Sequence, residues 1–202
     1  FVDLSGKAIA ALNDNEFLDL KKKILTGPIP CLGINSYCPS EVIIAGPGFD
    51  EEKIYEYGRN TIKRVNSLGA KSIGIGCPAS RTLPKDYDLE KAKSQLMKFL
   101  EITCEIANDF NMDVLMESLS TLETNFINTT SEALEIVEML GLNNLKMVYD
   151  IYHVAMMKED TLDFNKAFNY ISHLHISDGY NGKRLYLNEN NMDIYNPYLE
   201  NI

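Results

Sequence analysis

Basic residues are in short supply in this chain. Its 202 residues include 19 Lys and Arg against 29 Asp and Glu, for a formal net charge of −10. A phosphate backbone needs the opposite balance, so nucleic acid is not an expected partner; small anions, which respond to local charge, remain open. Long apolar runs are also missing. The longest are strand-sized, which excludes a transmembrane helix, and no basic stretch leads into an apolar core as a signal peptide would. The expectation is a cytoplasmic protein with no membrane partner. Cysteine is sparse: Cys31, Cys38, Cys77 and Cys104, with no CxxC pair and no His at zinc-finger spacing. They read as reduced, small apolar side chains, and a metal or redox pair is the alternative. No GxGxxG follows the first strand-like segment, which disfavours a dinucleotide-binding sheet, and no recurring helical consensus suggests a solenoid.

What is present is an ordinary globular balance, 45% hydrophobic and 24% charged, in an alternating pattern. Strand-like pieces are expected at 1–4, 30–37, 71–76, 112–119, 144–153 and 172–178. Helical periodicity fills 13–25, 50–69, 88–111, 128–142 and 161–171, and a last helix opens at 196. Caps support these helices: acids at 50–52 before the second, hydroxyls at 129–131 before the fourth, and Gly69 and Gly141 at C-terminal ends. Strands alternating with helices over short links argue for parallel βαβ units. Six strands fit either an open doubly wound sheet or a (β/α)8 barrel short of two strands.

The chain has three histidines, all between 153 and 175, two of them in "SHLHISDG". Histidine is the commonest metal ligand and the usual acid–base group near neutral pH, although a single strand histidine is often only a buried core residue. The polar residues nearby share one placement. Glu117, Asp150 and His175 each fall at the C-terminal end of an expected strand, and His153 lies just past its own. In a parallel barrel those ends open on one face, where active sites are built. Two carboxylates and one imidazole suit a single divalent ion, Mn, Mg, Co or Zn. His173 faces the same side of its strand as His175 and reads either as a ligand neighbour or as a lower-layer core residue. Taken singly, Glu117 could be a cap or loop carboxylate and Asp150 a turn residue. Three such residues at matching positions on successive strands favour a site.

The segments "ESLSTLETNFINTTSEALEIV", "VYDIYH" and "HLHISD", in that order, together with "LGAKSIGIGCPASR", resemble the xylose isomerase-like TIM-barrel superfamily. The nearest branch is the sugar phosphate isomerase/epimerase group, which includes ketose 3-epimerases and hydroxypyruvate isomerase-like proteins. The resemblance covers nearly the whole chain and implies a single domain over 1–202, a TIM barrel with about six of its eight strands present. It further implies one βα unit missing in front and a strand and helix missing behind. It matches Glu117, Asp150 and His175 to three metal ligands, and places the family's fourth, a glutamate, beyond Ile202. Glu123 in "ETN" and His153 in "DIYH" match substrate-binding residues. The family's substrate-binding Arg follows the His ligand by about six residues; here Asn181 holds that slot and Arg184 lies three residues on. Arg81 would meet a terminal hydroxyl or phosphate, or else form a surface salt bridge.

The activity implied is sugar or sugar phosphate isomerisation or epimerisation, with Glu117 as the base that removes the proton alpha to a carbonyl to give an enediolate. The expected partner is a small-molecule sugar or sugar phosphate, and homo-oligomerisation is compatible with the family. A keto-polyol dehydratase could use the same site. So could a non-catalytic sugar-binding barrel. Endonuclease IV-like DNA repair needs several metals and a DNA-binding surface, which three histidines and a charge of −10 do not supply.

Overall fold

The computed structural model describes residues 2–179, 184–200 and 202. Among them are six strands: β1 (Val2–Ser5), β2 (Cys31–Asn35), β3 (Ser72–Ile75), β4 (Asp113–Glu117), β5 (Leu145–Asp150) and β6 (Ile171–His175). Every neighbouring pair is parallel, and the strands lie side by side in chain order. A doubly wound sheet would reverse that order at a switch point, whereas a barrel keeps it. The order therefore decides between the two architectures left open above: this is a partial TIM barrel, with helices between the strands.

Those helices are α1 (Gly6–Ala11), α2 (Asp14–Thr26), α3 (Glu51–Asn66), α4 (Leu89–Asn108), α5 (Thr130–Leu140), α6 (Ile151–Met157), α7 (Leu162–Ala167) and α8 (Met192–Leu199). Local chemistry sets most of their ends. Asn13 with Glu16 and Thr129 with Glu132 form reciprocal capping boxes, and Asp50 and Asp88 cap α3 and α4. Gly141 takes a left-handed φ of 58° and stops α5. The helices then bury one face each against the strands. Ala92, Leu96, Phe99 and Leu100 of α4 are wholly inaccessible, as are Ile73 and Ile75 of β3 and Val114 and Met116 of β4. Each large side chain so buried contributes about 1.5–3 kcal/mol.

The strand expected over 144–153 ends at Asp150, and His153 lies in a helix. Asp150 Oδ1 accepts from the Tyr152 N–H at 3.0 Å, so the last strand residue caps α6 directly. The helix α1 was not anticipated; the Ser5 hydroxyl caps it. Towards the C-terminus, α7 is shorter than the expected 161–171, and α8 begins four residues ahead of the expected 196 and carries Pro197 inside. The register sets Asp150 directly opposite His175 and Glu117 opposite Val148, which brings three polar strand ends to one rim.

Candidate metal and substrate site

Five consecutive strands deliver a residue to that rim. Asn35 closes β2, Gly76 follows β3, and Glu117, Asp150 and His175 close β4, β5 and β6. All but Asp150, which lies beneath the surface, border a cavity of about 580 Å³ lined also by Cys77, Glu123, His173 and Arg184. That volume suits a small ligand. Alternation along β5 explains what does not enter: Tyr149 points outward and meets Phe164 of α7 edge-on, with ring centroids 4.9 Å apart.

The charged groups pair closely. His175 Nδ1 is 2.8 Å from Glu117 Oε1 and 3.5 Å from Asp150 Oδ2, and its other nitrogen is 3.4 Å from the Asn35 amide. Burial alone would push this imidazole down, but hydrogen bonds to Asp150 and Glu117 outweigh it and raise its pKa to about 10. Asp150 is held below its usual range: burial opposes ionisation, and His175 and Arg184 more than compensate. Arg184 donates to Asp150 Oδ2 at 2.7 Å and stacks over the Tyr152 ring at 4.6 Å. Glu123, a third of its side chain exposed, lies 3.9 Å from Arg184 and 3.8 Å from His153 Nε2. Burial raises its pKa, and Arg184 opposes that.

Ser120 N–H, which can only donate, reaches His153 Nδ1 at 3.0 Å. Burial pushes its pKa down to about 4, which keeps the ring neutral. An Arg184 terminal nitrogen, also a donor only, lies 2.7 Å from Nε2, so both ring nitrogens face N–H donors and a neutral ring can accept from just one of them.

Arg81 is not a surface residue. It is fully buried, donates to the Glu117 carbonyl oxygen at 2.9 Å, and does not line the cavity. Its Nε and other terminal nitrogen have no protein partner. Burial lowers its pKa to about 10. The slot at Asn181 falls outside the described residues. Asn35 and Gly76 were not legible as site residues: neither type signals chemistry, and only the barrel brings them to the rim. A Cβ on Gly76 would lie 2.5 Å from Glu117 Oε2, so this glycine makes room for the carboxylate.

Among the described residues, Glu117, Asp150 and His153 each offer one ligand atom within 4.8 Å of the others. His175 adds a second imidazole to the same two carboxylates. Two buried carboxylates with an imidazole form an oxygen-rich donor set that fits a divalent ion. No helix among the described residues is long and apolar enough to cross a membrane.

Known proteins agree with this architecture. A family model described as xylose isomerase-like TIM barrel matches residues 4–194. The chain is 26% identical over 125 residues to D-psicose 3-epimerase from Ruminiclostridium cellulolyticum, covering 58% of this chain and 41% of that protein. It is 27% identical over 131 residues to hydroxypyruvate isomerase from Escherichia coli, covering 63% of this chain and 50% of that protein. This chain thus spans about half the length of these curated relatives. The crystal structure of 3-keto-D-glucoside 4-epimerase from E. coli superimposes with a TM-score of 0.76, covering 98% of this chain and 76% of that one, at 16% identity. At that identity the likeness shows the fold.

Proposed function

Because the chain belongs to the xylose isomerase-like TIM-barrel family, and its curated relatives include an epimerase and an isomerase, we propose that it is a divalent-metal-dependent isomerase or epimerase of a sugar or sugar phosphate. The observation that carries this reading is the meeting of Glu117, Asp150 and His175 at three adjacent strand ends beside a cavity that takes a small polyol. Residues 1–202 are then part of a single barrel domain, acting in the cytoplasm.

Glu117, Asp150 and His175 would hold the ion. His153 meets the distance criterion too, but its Nδ1 faces Ser120 N–H and its Nε2 faces the Arg184 guanidinium, so both nitrogens are engaged by donors. His175 has no such commitment to a backbone donor. Its proton, held between two carboxylates, is the charge that a cation replaces. When bound, a divalent ion supplies Lewis acidity that makes a proton alpha to a carbonyl easier to remove.

The remaining work falls to side chains. Glu117 accepts that proton, and the negative charge spreads over an enediolate. The proton returns to the opposite face in an epimerase, or to the neighbouring carbon in an isomerase. Each such general acid–base step contributes roughly 10²–10⁴-fold. Arg184 and His153 bind substrate oxygens, and Glu123 accepts from a hydroxyl beside them. Fixing those oxygens orients the carbon–hydrogen bond toward Glu117. Arg81, whose guanidinium lies against the Glu117 carbonyl away from the cavity, holds the end of β4 rather than the sugar.

A screen of ketoses and ketose phosphates, with the full-length protein and Mn²⁺ in D₂O, tests this. Deuterium entering a carbon-bound position next to the carbonyl supports the reading. Loss of a hydroxyl identifies a keto-polyol dehydratase, and binding without any exchange identifies a sugar-binding barrel; either overturns it.

A further inference from the structure

We propose that Cys77 and Cys38 form a peroxide-responsive dithiol at the wall of the site cavity, able to close into a reversible disulfide. The two cysteines come from different loops, Cys38 three residues past β2 and Cys77 two residues past β3. The Cys38 backbone N–H donates to Cys77 Sγ at 3.1 Å, which brings the two cysteines together. Both side chains are buried, but Cys77 lines the cavity that also holds Glu117, so a small oxidant entering the site comes against this residue. Cys77 also adopts a left-handed backbone, φ 46° and ψ 57°, where a non-glycine residue is uncommon.

The surroundings divide the labour between the two sulfurs. Hydrogen bonds from Cys38 lower the Cys77 pKa against its burial; the positive charge of Arg81 acts in the same direction and the negative charge of Glu117 against it. Burial pushes the Cys38 thiol well up. The attacking sulfur is therefore Cys77 and the resolving one Cys38. The Cys77 thiolate attacks one oxygen of hydrogen peroxide, the O–O bond breaks, and the departing hydroxide takes up the proton that the thiol released, leaving as water. Cys77 is now a sulfenic acid, oxidised by two electrons. Cys38 sulfur then attacks the sulfenic sulfur, the S–O bond breaks, and the hydroxyl leaves with the Cys38 proton as a second water. Two thiols and one peroxide become one disulfide and two waters. Closure ties the loop after β2 to the loop after β3, and a thiol reductant reopens it.

Cys31 and Cys104 are internal controls: both are buried, neither lines the cavity, and burial raises the Cys104 pKa to about 12. The test treats the reduced full-length protein with stoichiometric hydrogen peroxide, quenches with an alkylating reagent and maps the peptides by mass. The expected product is a Cys38–Cys77 disulfide, two hydrogens lighter and reversed by dithiothreitol, with Cys31 and Cys104 still alkylatable. In Cys38→Ser, Cys77 should go on to sulfinic acid, which dithiothreitol does not reverse. In Cys77→Ser, Cys38 should stay reduced. A different disulfide, or oxidation of Cys31 or Cys104 at the same rate, overturns the proposal, as does no reaction at all. Should a serine variant fail to fold, alkylation kinetics of the wild type decide: Cys77 must react with iodoacetamide at least about tenfold faster than each other cysteine, and equal rates overturn it.

Discussion

Two buried regions of this molecule are built from opposite materials. Between α3, α4 and the strands β2–β4, the inaccessible side chains are aliphatic or aromatic: Ile62, Val65, Ile73, Leu96, Phe99 and Leu100. At the rim of β4–β6, a few residues away, they are Glu117, Asp150 and His153, with Arg81 below. The first region removes apolar surface from water and stabilises the fold. The second takes charges out of water, which costs free energy unless each finds partners. The rim meets that cost incompletely: Arg81 leaves two nitrogens unpaired, and a protonated His175 is needed to balance two carboxylates. A set of charges this poorly compensated is expected where chemistry, not stability, sets the residues.

The sharpest break in that comparison comes from Glu117→Gln. Exchange of the substrate's alpha proton in D₂O should fall by roughly 10²–10⁴-fold, about 3–5.5 kcal/mol of barrier, while the melting temperature stays level or rises. Near-normal exchange would make Glu117 a ligand only. Leu96→Ala should do the reverse, lowering unfolding free energy by about 2–5 kcal/mol in urea with metal content unchanged. Saturating Mn²⁺ at about a hundred times its dissociation constant should add about 2.7 kcal/mol of stability. That gain should vanish in the Asp150→Asn, His175→Ala double variant and survive in His153→Ala. Elemental analysis of the same proteins checks the assignment, and unchanged metal in the double variant would move the site elsewhere. Gly76→Ala places a Cβ where Glu117 Oε2 lies, so metal affinity by calorimetry should weaken about tenfold, ~1.4 kcal/mol, with little change in folding. The smallest effect belongs to Thr129→Ala, which removes one cap of α5 at a cost of about 1 kcal/mol and leaves the rim untouched.

The sequence by itself determined the elements whose causes are local. Alternating periodicity, the capping pairs at Asn13 and Thr129 and the stop at Gly141 are visible in a one-dimensional string because each depends on neighbours within a few residues. Placing Glu117, Asp150 and His175 at strand ends needed no more than that, and the order of their motifs carried the resemblance to the family. Only the tertiary structure decided what depends on partners far along the chain. It chose barrel over open sheet through strand order, and ended β5 at Asp150 because that carboxylate caps α6. It turned Arg81 inward under Glu117, brought Arg184 onto Asp150 across 34 positions, and set the Ser120 N–H on His153 Nδ1, 33 positions away. Hydrogen bonds between distant residues leave no periodic trace in a sequence, because the chain's connectivity does not constrain which of its remote donors and acceptors will meet; the side-by-side packing of parallel strands does.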